Sequence, residues 1–342
     1  MTLVLVTGAS GFLGSVVVDQ LLEAGYKVRG TARLSKLARL QSAYAPFGDK
    51  FEAVAVDDLA TSDLTEAFKG VDALIHVGSP LPGAAEAQVV LNGAISGTER
   101  ALEFAAVARV KKIVLTSSIV TLAHPNDFWT DKTVGENDWN PQTYEEAIKP
   151  GVPSFEVYGA SKKLAEVVVW NFAKKHPEID VATVHPPFLY GPSGRGQVID
   201  TPSNGTNDLV YNLISGPKGR PVPDQFPNVP AFINVADAAR AHVAALKTSP
   251  SDKPKRIIAI GGEFTWREAV EYLMKARPDL RERLPDINSP DTEKGLKTIS
   301  FDTSSAKRLV GLDKYIGWQE TVEATLDDSI KREKELGITA AA

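Results

Sequence analysis

The chain contains no cysteine, which excludes disulfides, thiolate nucleophiles and Cys-ligated zinc. It has no run of about 18 apolar residues, the length a membrane span requires. The apolar stretch near its start is far shorter than a signal-peptide core and no basic segment precedes it. Excess charge of one sign is lacking too: 38 Lys and Arg against 43 Asp and Glu leave a net charge of −5, with no basic stripe for nucleic acid. His76, His124 and His185 share no ligand spacing and no surrounding carboxylates, so packing or surface places are expected for them and no metal is predicted. These absences point to a cytoplasmic enzyme that meets neither nucleic acid nor membrane. The 342 residues, 43% of them hydrophobic, suffice for one large domain or two lobes.

What is present begins at Thr7-Gly8-Ala9-Ser10-Gly11-Phe12-Leu13-Gly14, between the apolar run Leu3-Val4-Leu5-Val6 and the segment Val16-Val17-Val18-Asp19-Gln20-Leu21-Leu22. Strand, glycine turn and helix in that order are what a dinucleotide site needs. Gly8 lets the chain turn sharply, Gly11 lets backbone approach a pyrophosphate, and Gly14 lets the helix pack closely on the sheet. The pyrophosphate then meets free N–H groups at a helix N-terminus. A second strand follows Gly25 and ends near Ala32-Arg33, about 20 residues past the glycines, where a carboxylate would select NAD and an arginine a 2′-phosphate. Arg33, with Lys36 nearby, favours NADP(H).

Further strands are expected at 51–56, 73–77, 112–115 and 181–185, and helices at about 62–69, 86–108 and 155–175. That alternation predicts an α/β fold: a Rossmann-type doubly wound parallel sheet buried on both faces. Beyond 191 it breaks. A Gly- and Pro-rich stretch with one helical pattern near 207–215 is followed by a strand and helix over 232–246, a strand at 256–260 and a mostly helical remainder. The division expected is 1–191 with 229–262 for the dinucleotide, and 192–228 with 263–342 as a smaller, discontinuous C-terminal lobe capping the substrate site.

Tyr158-Gly159-Ala160-Ser161-Lys162 opens the helix between the fifth and sixth strands. Residues four apart share one helix face, so phenol and ammonium address one pocket, and the cation is expected to lower the phenol pKa from about 10. The fifth strand ends in Thr116-Ser117-Ser118, at the carboxyl edge where ligands bind in open α/β sheets.

The glycine motif, the Thr-Ser-Ser strand end and Tyr-x-x-x-Lys resemble the extended short-chain dehydrogenase/reductase superfamily. Asp58-Leu59, His76-Val77-Gly78-Ser79-Pro80, 158–166, His185-Pro186-Pro187-Phe188-Leu189-Tyr190-Gly191-Pro192, Phe232-Ile233-Asn234-Val235-Ala236-Asp237 and Phe301-Asp302-Thr303-Ser304-Ser305 bring the resemblance to its dihydroflavonol reductase, cinnamoyl-CoA reductase and yeast-type aldehyde/ketone reductase branch. It implies that Ser118, with Ser117 the second candidate, polarises a substrate carbonyl. Tyr158 would donate a proton to its oxygen as hydride arrives at carbon, and Lys162 would bind the nicotinamide ribose and tune Tyr158. Of the cofactor residues, Thr7 to Gly14, with Ser10, Phe12 and Leu13, would hold the pyrophosphate. Asp58 and Leu59 would face the adenine, Val77, Gly78 and Ser79 would line the cofactor, and Pro186, Phe188 and Leu189 would pass beside the nicotinamide. Local readings stand beside these: Asp58 as a turn residue, the proline pair as a device that extends the chain. Two departures are visible: Gly78 stands where alanine is usual, which is expected to widen the channel, and the loop from Arg33 to Lys36 is shorter than in relatives.

The capping lobe supplies Phe128, Trp129, Trp139, the loop 149–155 and the stretch 222–226 without an Arg or Lys cluster. This favours a neutral, partly apolar carbonyl compound over a nucleotide sugar, whose diphosphate wants cations. The expectation is an NADPH-dependent reductase of small aldehydes or ketones, as a monomer or homodimer. The alternatives are an NAD-dependent nucleotide-sugar epimerase or dehydratase and a catalytically silent NADP(H)-sensing protein.

Overall fold

The computed structural model describes residues 1–81, 83, 85–225, 228–291 and 295–338. Its first half alternates strand and helix: β1 (Leu3–Thr7), α1 (Phe12–Glu23), β2 (Lys27–Ala32), α2 (Leu34–Ala43), β3 (Phe51–Ala55), α3 (Thr65–Phe68), β4 (Ala73–His76), α4 (Ala87–Val107) and β5 (Lys112–Thr116). Next come β6 (Thr133–Val134), α5 (Tyr144–Ala147), α6 (Ser154–Lys175), β7 (Asp180–His185), β8 (Phe188–Tyr190) and α7 (Asn207–Ser215). The remainder holds β9 (Ala231–Asn234), α8 (Val235–Ala245), β10 (Lys255–Ile258), β11 (Gly262–Glu263), α9 (Trp266–Ala276), β12 (Ser300–Phe301), α10 (Ser304–Val310) and α11 (Trp318–Glu335).

Seven strands form one parallel sheet in the order β10-β7-β5-β4-β1-β2-β3. The middles of its central strands, Val4-Leu5-Val6, Leu74-Ile75 and Ile113-Val114-Leu115, are apolar and buried because helices cover both faces. Val17 and Leu21 of α1 pack with Ala238 and Ala241 of α8 on one side. Ala101 and Leu102 of α4 pack with Val169 of α6 on the other. Chain order reverses between β1 and β4, so the crevice that receives ligands in such sheets opens at Thr7 and His76.

The strand and helix expected over 232–246 divide their allegiance. β9 joins β8 and β11 in a separate three-stranded sheet, while α8 packs on α1. The helix expected over 62–69 shrinks to one turn, because the carboxylates of Asp58 and Asp63 accept from Ala60 N at 2.7 Å and Thr65 N at 3.0 Å and so favour local turns. The cap has its own core, in which Val210 and Leu213, Trp266 and Leu273, and Val322 and Leu326 bring α7, α9 and α11 together. Segment 193–200 runs back over the first two helices: Gly196 N donates to the Tyr44 hydroxyl at 3.2 Å and Val198 N to Ser10 O at 3.1 Å. Among the described residues, no helix is long and apolar enough to cross a membrane and no group of three acidic, His or Cys side chains is placed to hold a metal.

Candidate active site

The glycine turn is built as a cradle. Gly8 takes a left-handed φ of +70°, and a Cβ there would lie 3.0 Å from Gly78 Cα. A Cβ on Gly14 would lie 2.1 Å from Gly8 O, so only glycine lets α1 seat this close to the turn. Gly11 caps α1 without a side-chain acceptor, leaving the first helical N–H groups for an anion. Thr7 closes the switch point from below: its hydroxyl accepts from Val77 N and Gly78 N, both at 3.1 Å, and lies 2.9 Å from His76 Nδ1. The residues present therefore fit a dinucleotide, with the pyrophosphate on the turn.

Arg33 ends in solvent at the start of α2, and Lys36 is half-buried one turn on. Burial, then the charges of Arg33 and Arg39, lower the Lys36 pKa, so these cations share one field. The Lys36 ammonium also donates to Val198 O at 2.8 Å, which ties it to segment 193–200. Asp57, which sequence reasoning passed over, accepts from Leu34 N at 2.7 Å and holds the helix start beside Arg33. Asp58 is exposed and bonded within its own turn, the local reading of that residue. Leu59 reaches the cradle: its Cδ1 would meet a Cβ on Gly78 at 3.0 Å, so the missing methyl is filled and not left as a wider channel. Val77, Gly78 and Ser79 are half-buried along the crevice after β4.

At the carboxyl end of β5, Ser118 has extended backbone and heads a short 3₁₀ turn, its hydroxyl accepting from Val120 N at 3.4 Å. That hydroxyl also faces the phenol of Tyr158 and favours its ionised form. Ser117 turns the other way and donates to Glu166 Oε2 at 2.6 Å, which separates the two serine candidates. Lys162 is buried, with Nζ donating to Thr116 O at 2.6 Å. Burial lowers its pKa to about 8 against the opposing pull of Glu166. The expected lowering of the Tyr158 pKa by Lys162 is not found. Burial pushes the phenol up to about 12, countered only by the Ser118 hydroxyl, because the ammonium is aimed at a carbonyl. The Tyr158 phenol is thus protonated at neutral pH.

Pro186 and Pro187 are buried, and Pro186 O accepts from Ile119 N at 3.2 Å; Phe188 and Leu189 are half-buried on β8. Phe155, one turn before Tyr158, stacks on its ring at 6.3 Å and on Phe188 at 6.1 Å. Phe128 is fully buried in core, and Trp139 lies under the Arg256 guanidinium, 3.9 Å from its ring centre. Phe226 lies outside the described residues.

A family model described as the NAD dependent epimerase/dehydratase family matches residues 4–261. The chain belongs to that family. It falls in the reductase branch of the extended short-chain dehydrogenases/reductases. Aldehyde reductase 2 of Sporidiobolus salmonicolor is 32% identical over 340 residues, 95% of this chain and 94% of that one. The ketoreductase adrE of Penicillium roqueforti is 31% identical over 341 residues, 96% of each. Among solved structures, yeast methylglyoxal/isovaleraldehyde reductase Gre2 complexed with NADPH matches with a TM-score of 0.83 and 25% identity, over 99% of this chain and 100% of that one. This member of the family is an oxidoreductase.

Proposed function

We propose that the protein is an NADPH-dependent carbonyl reductase that converts a neutral, partly apolar aldehyde or ketone to the alcohol, with Tyr158 as proton donor. The observation that carries the reading is the convergence of the Ser118 and Tyr158 hydroxyls beside buried Lys162, at the sheet edge that also holds the glycine cradle. Bound on that cradle, the cofactor supplies hydride to the carbonyl carbon. Arg33 and Lys36 offer the cations that a 2′-phosphate requires, and relatives described as NADPH-dependent or complexed with NADPH support the same choice. The Ser118 hydroxyl orients the substrate oxygen, and the Tyr158 phenol transfers its proton to that oxygen as negative charge develops there. Lys162, protonated at neutral pH, binds the nicotinamide ribose with its ammonium. Phe155 and Phe188 face the apolar part of the substrate from the Tyr158 side. The cap assigned to 192–228 and 263–342 closes over it, and segment 193–200 links that cap to the cofactor loop.

The test is NADPH oxidation, followed by its near-ultraviolet absorbance, with aromatic and aliphatic ketones and aldehydes, for wild type beside Tyr158→Phe. Turnover by wild type with a loss of at least about 100-fold in the variant is expected. NADPH binding without turnover of any carbonyl would overturn the reading.

A further inference from the structure

Glu166 continues the row of Tyr158 and Lys162 on α6, again four residues on. It is fully buried, an expensive place for a carboxylate unless every oxygen is paired. The pairing is extensive. Oε2 accepts from the Ser117 hydroxyl at 2.6 Å; Oε1 accepts from Arg256 Nε at 2.7 Å and Trp170 Nε1 at 3.1 Å, with His185 Nε2 at 3.4 Å. Burial opposes ionisation of Glu166, but His185 and Arg256 outweigh it and hold the carboxyl well below the usual carboxylate range. Proton donation by Tyr158 makes no direct use of this charge, and an apolar cluster would fill the same space at lower desolvation cost.

The network leads to Ser118 by two routes. Ser117, bonded to Glu166, is its chain neighbour. From the other side, Arg256 donates to Glu136 O at 2.9 Å and Asp138 O at 2.7 Å, and its Nη2 lies 3.4 Å from Thr121 Oγ1. Thr121 Oγ1 in turn donates to the Ser118 carbonyl at 2.9 Å, with His185 Nδ1 at 3.3 Å from the same oxygen. A third link is electrostatic. Around Lys162 stand His76 at the end of β4 and His242 on α8, which burial lowers to about 3 and about 4, so both are neutral at pH 7. Glu166, one turn further along α6, is the carboxylate whose charge opposes the lowering of Lys162.

We propose that Glu166 is a positioning residue of the reduction: its buried carboxylate clamps the strand end that presents the Ser118 hydroxyl to Tyr158 and supplies the counter-charge that keeps the Lys162 ammonium in place. The proposal rests on the carbonyl-reductase reading above. It assigns to Arg256, on the edge strand β10, the task of carrying the clamp to Thr121.

The experiment compares wild type, Glu166→Gln, the charge-compensated double variant Glu166→Gln/Arg256→Gln, Glu166→Asp and Tyr158→Phe. Folding is followed by circular dichroism, NADPH affinity by fluorescence, and carbonyl reduction across pH 6–10. In the double variant, which removes the Glu166 carboxylate together with its Arg256 partner, NADPH affinity is expected within about twofold of wild type and the carbonyl KM within about threefold, while kcat falls about tenfold or more. The alkaline limb of kcat/KM, set by Lys162, is expected to move to lower pH by about half a unit or more, because the charge that favours the ammonium is gone. Glu166→Asp should restore part of both. A folded double variant with kcat within about threefold of wild type and an unmoved alkaline limb overturns the proposal. Should neither glutamine variant fold, Ser117→Ala cuts one route without touching a charge: a kcat loss of about threefold or more at unchanged KM supports the clamp, and wild-type kcat refutes it. Turnover that survives in Tyr158→Phe refutes the assignment of the site itself, and the positioning role with it.

Discussion

Substituting Gly14 and Gly11 separately distinguishes the fold's use of this turn from the cofactor's. Alanine is worth about 1 kcal/mol over glycine inside an ordinary helix, so Gly14→Ala sets a propensity gain against a clash. The added Cβ would lie 2.1 Å from Gly8 O, 2.8 Å from Gly8 C and 3.2 Å from Ala9 Cα, all backbone atoms without a rotamer to change. Reaching the ordinary contact range that starts at 3.4 Å requires α1 to retreat by more than 1 Å. That retreat would loosen Val17, Val18 and Leu21, which are completely buried beneath it. Overpacking of this kind costs about 1–3 kcal/mol; a 2.1 Å approach to backbone belongs at the upper end, and with the propensity gain of about 1 kcal/mol deducted we expect a net loss of about 2 kcal/mol. Urea unfolding followed by circular dichroism reads it. Gly11→Ala differs: the backbone there is extended at φ −91° and ψ 176°, and the Cβ would meet only Gly8 O at 3.2 Å. Stability should change by less than about 0.5 kcal/mol, while NADPH affinity, measured by fluorescence titration, falls about tenfold or more, equivalent to 1.4 kcal/mol. A Gly14→Ala protein as stable as wild type, or a Gly11→Ala protein that binds NADPH as wild type does, would refute the account of this turn.

Arg33→Asp replaces the exposed cation beside Lys36 by a carboxylate; NADPH affinity is expected to drop about tenfold or more while NADH use is spared or improved, and an unchanged cofactor preference would remove Arg33 from the site. The free-enzyme pH profile should lose activity above about pH 8: burial lowers Lys162 to about 8, so its active, protonated form is present below that pH and lost above it, whereas Tyr158, pushed up to about 12, stays protonated throughout. Lys162→Arg should move that limb upward, and a wild-type limb in this variant would assign it elsewhere. Phe155→Ala removes the ring stacked on Tyr158 and Phe188, and KM for an aromatic ketone should rise by about twofold to tenfold with little change for a small aliphatic aldehyde.

The site was legible where one local segment carries both its position and its chemistry. The turn from Thr7 to Gly14 is such a case: strand, left-handed glycine and helix start follow each other in the chain, and the three close backbone approaches involve residues within six positions or the adjacent strand end. Tyr158 and Lys162 are another, since four-residue spacing on α6 decides that they share a face. Legibility ended where partners are distant in sequence. Glu166, Ser117, Thr121, His185 and Arg256 come from α6, the end of β5, β7 and β10, and no spacing rule links them. The Tyr158 pKa shows the same boundary: adjacency to a lysine argued for lowering, but the ammonium turns to Thr116 O and burial prevails. Leu59 filling the space beside Gly78, and Phe128 sinking into core in place of lining the substrate site, are likewise outcomes of packing between elements.

By itself the sequence determined the parallel sheet, the glycine cradle and the shared helix face of Tyr158 and Lys162, because apolar runs, glycine positions and helical periodicity act over a few residues and need no partner to be read. Tertiary structure alone decided which serine faces Tyr158, where Lys162 points, how segment 193–200 returns to the cofactor loop, and which buried charges brace the end of β5. Those outcomes depend on distances between strands and helices that the chain brings together only once folded, and on desolvation, which exists only in the packed interior.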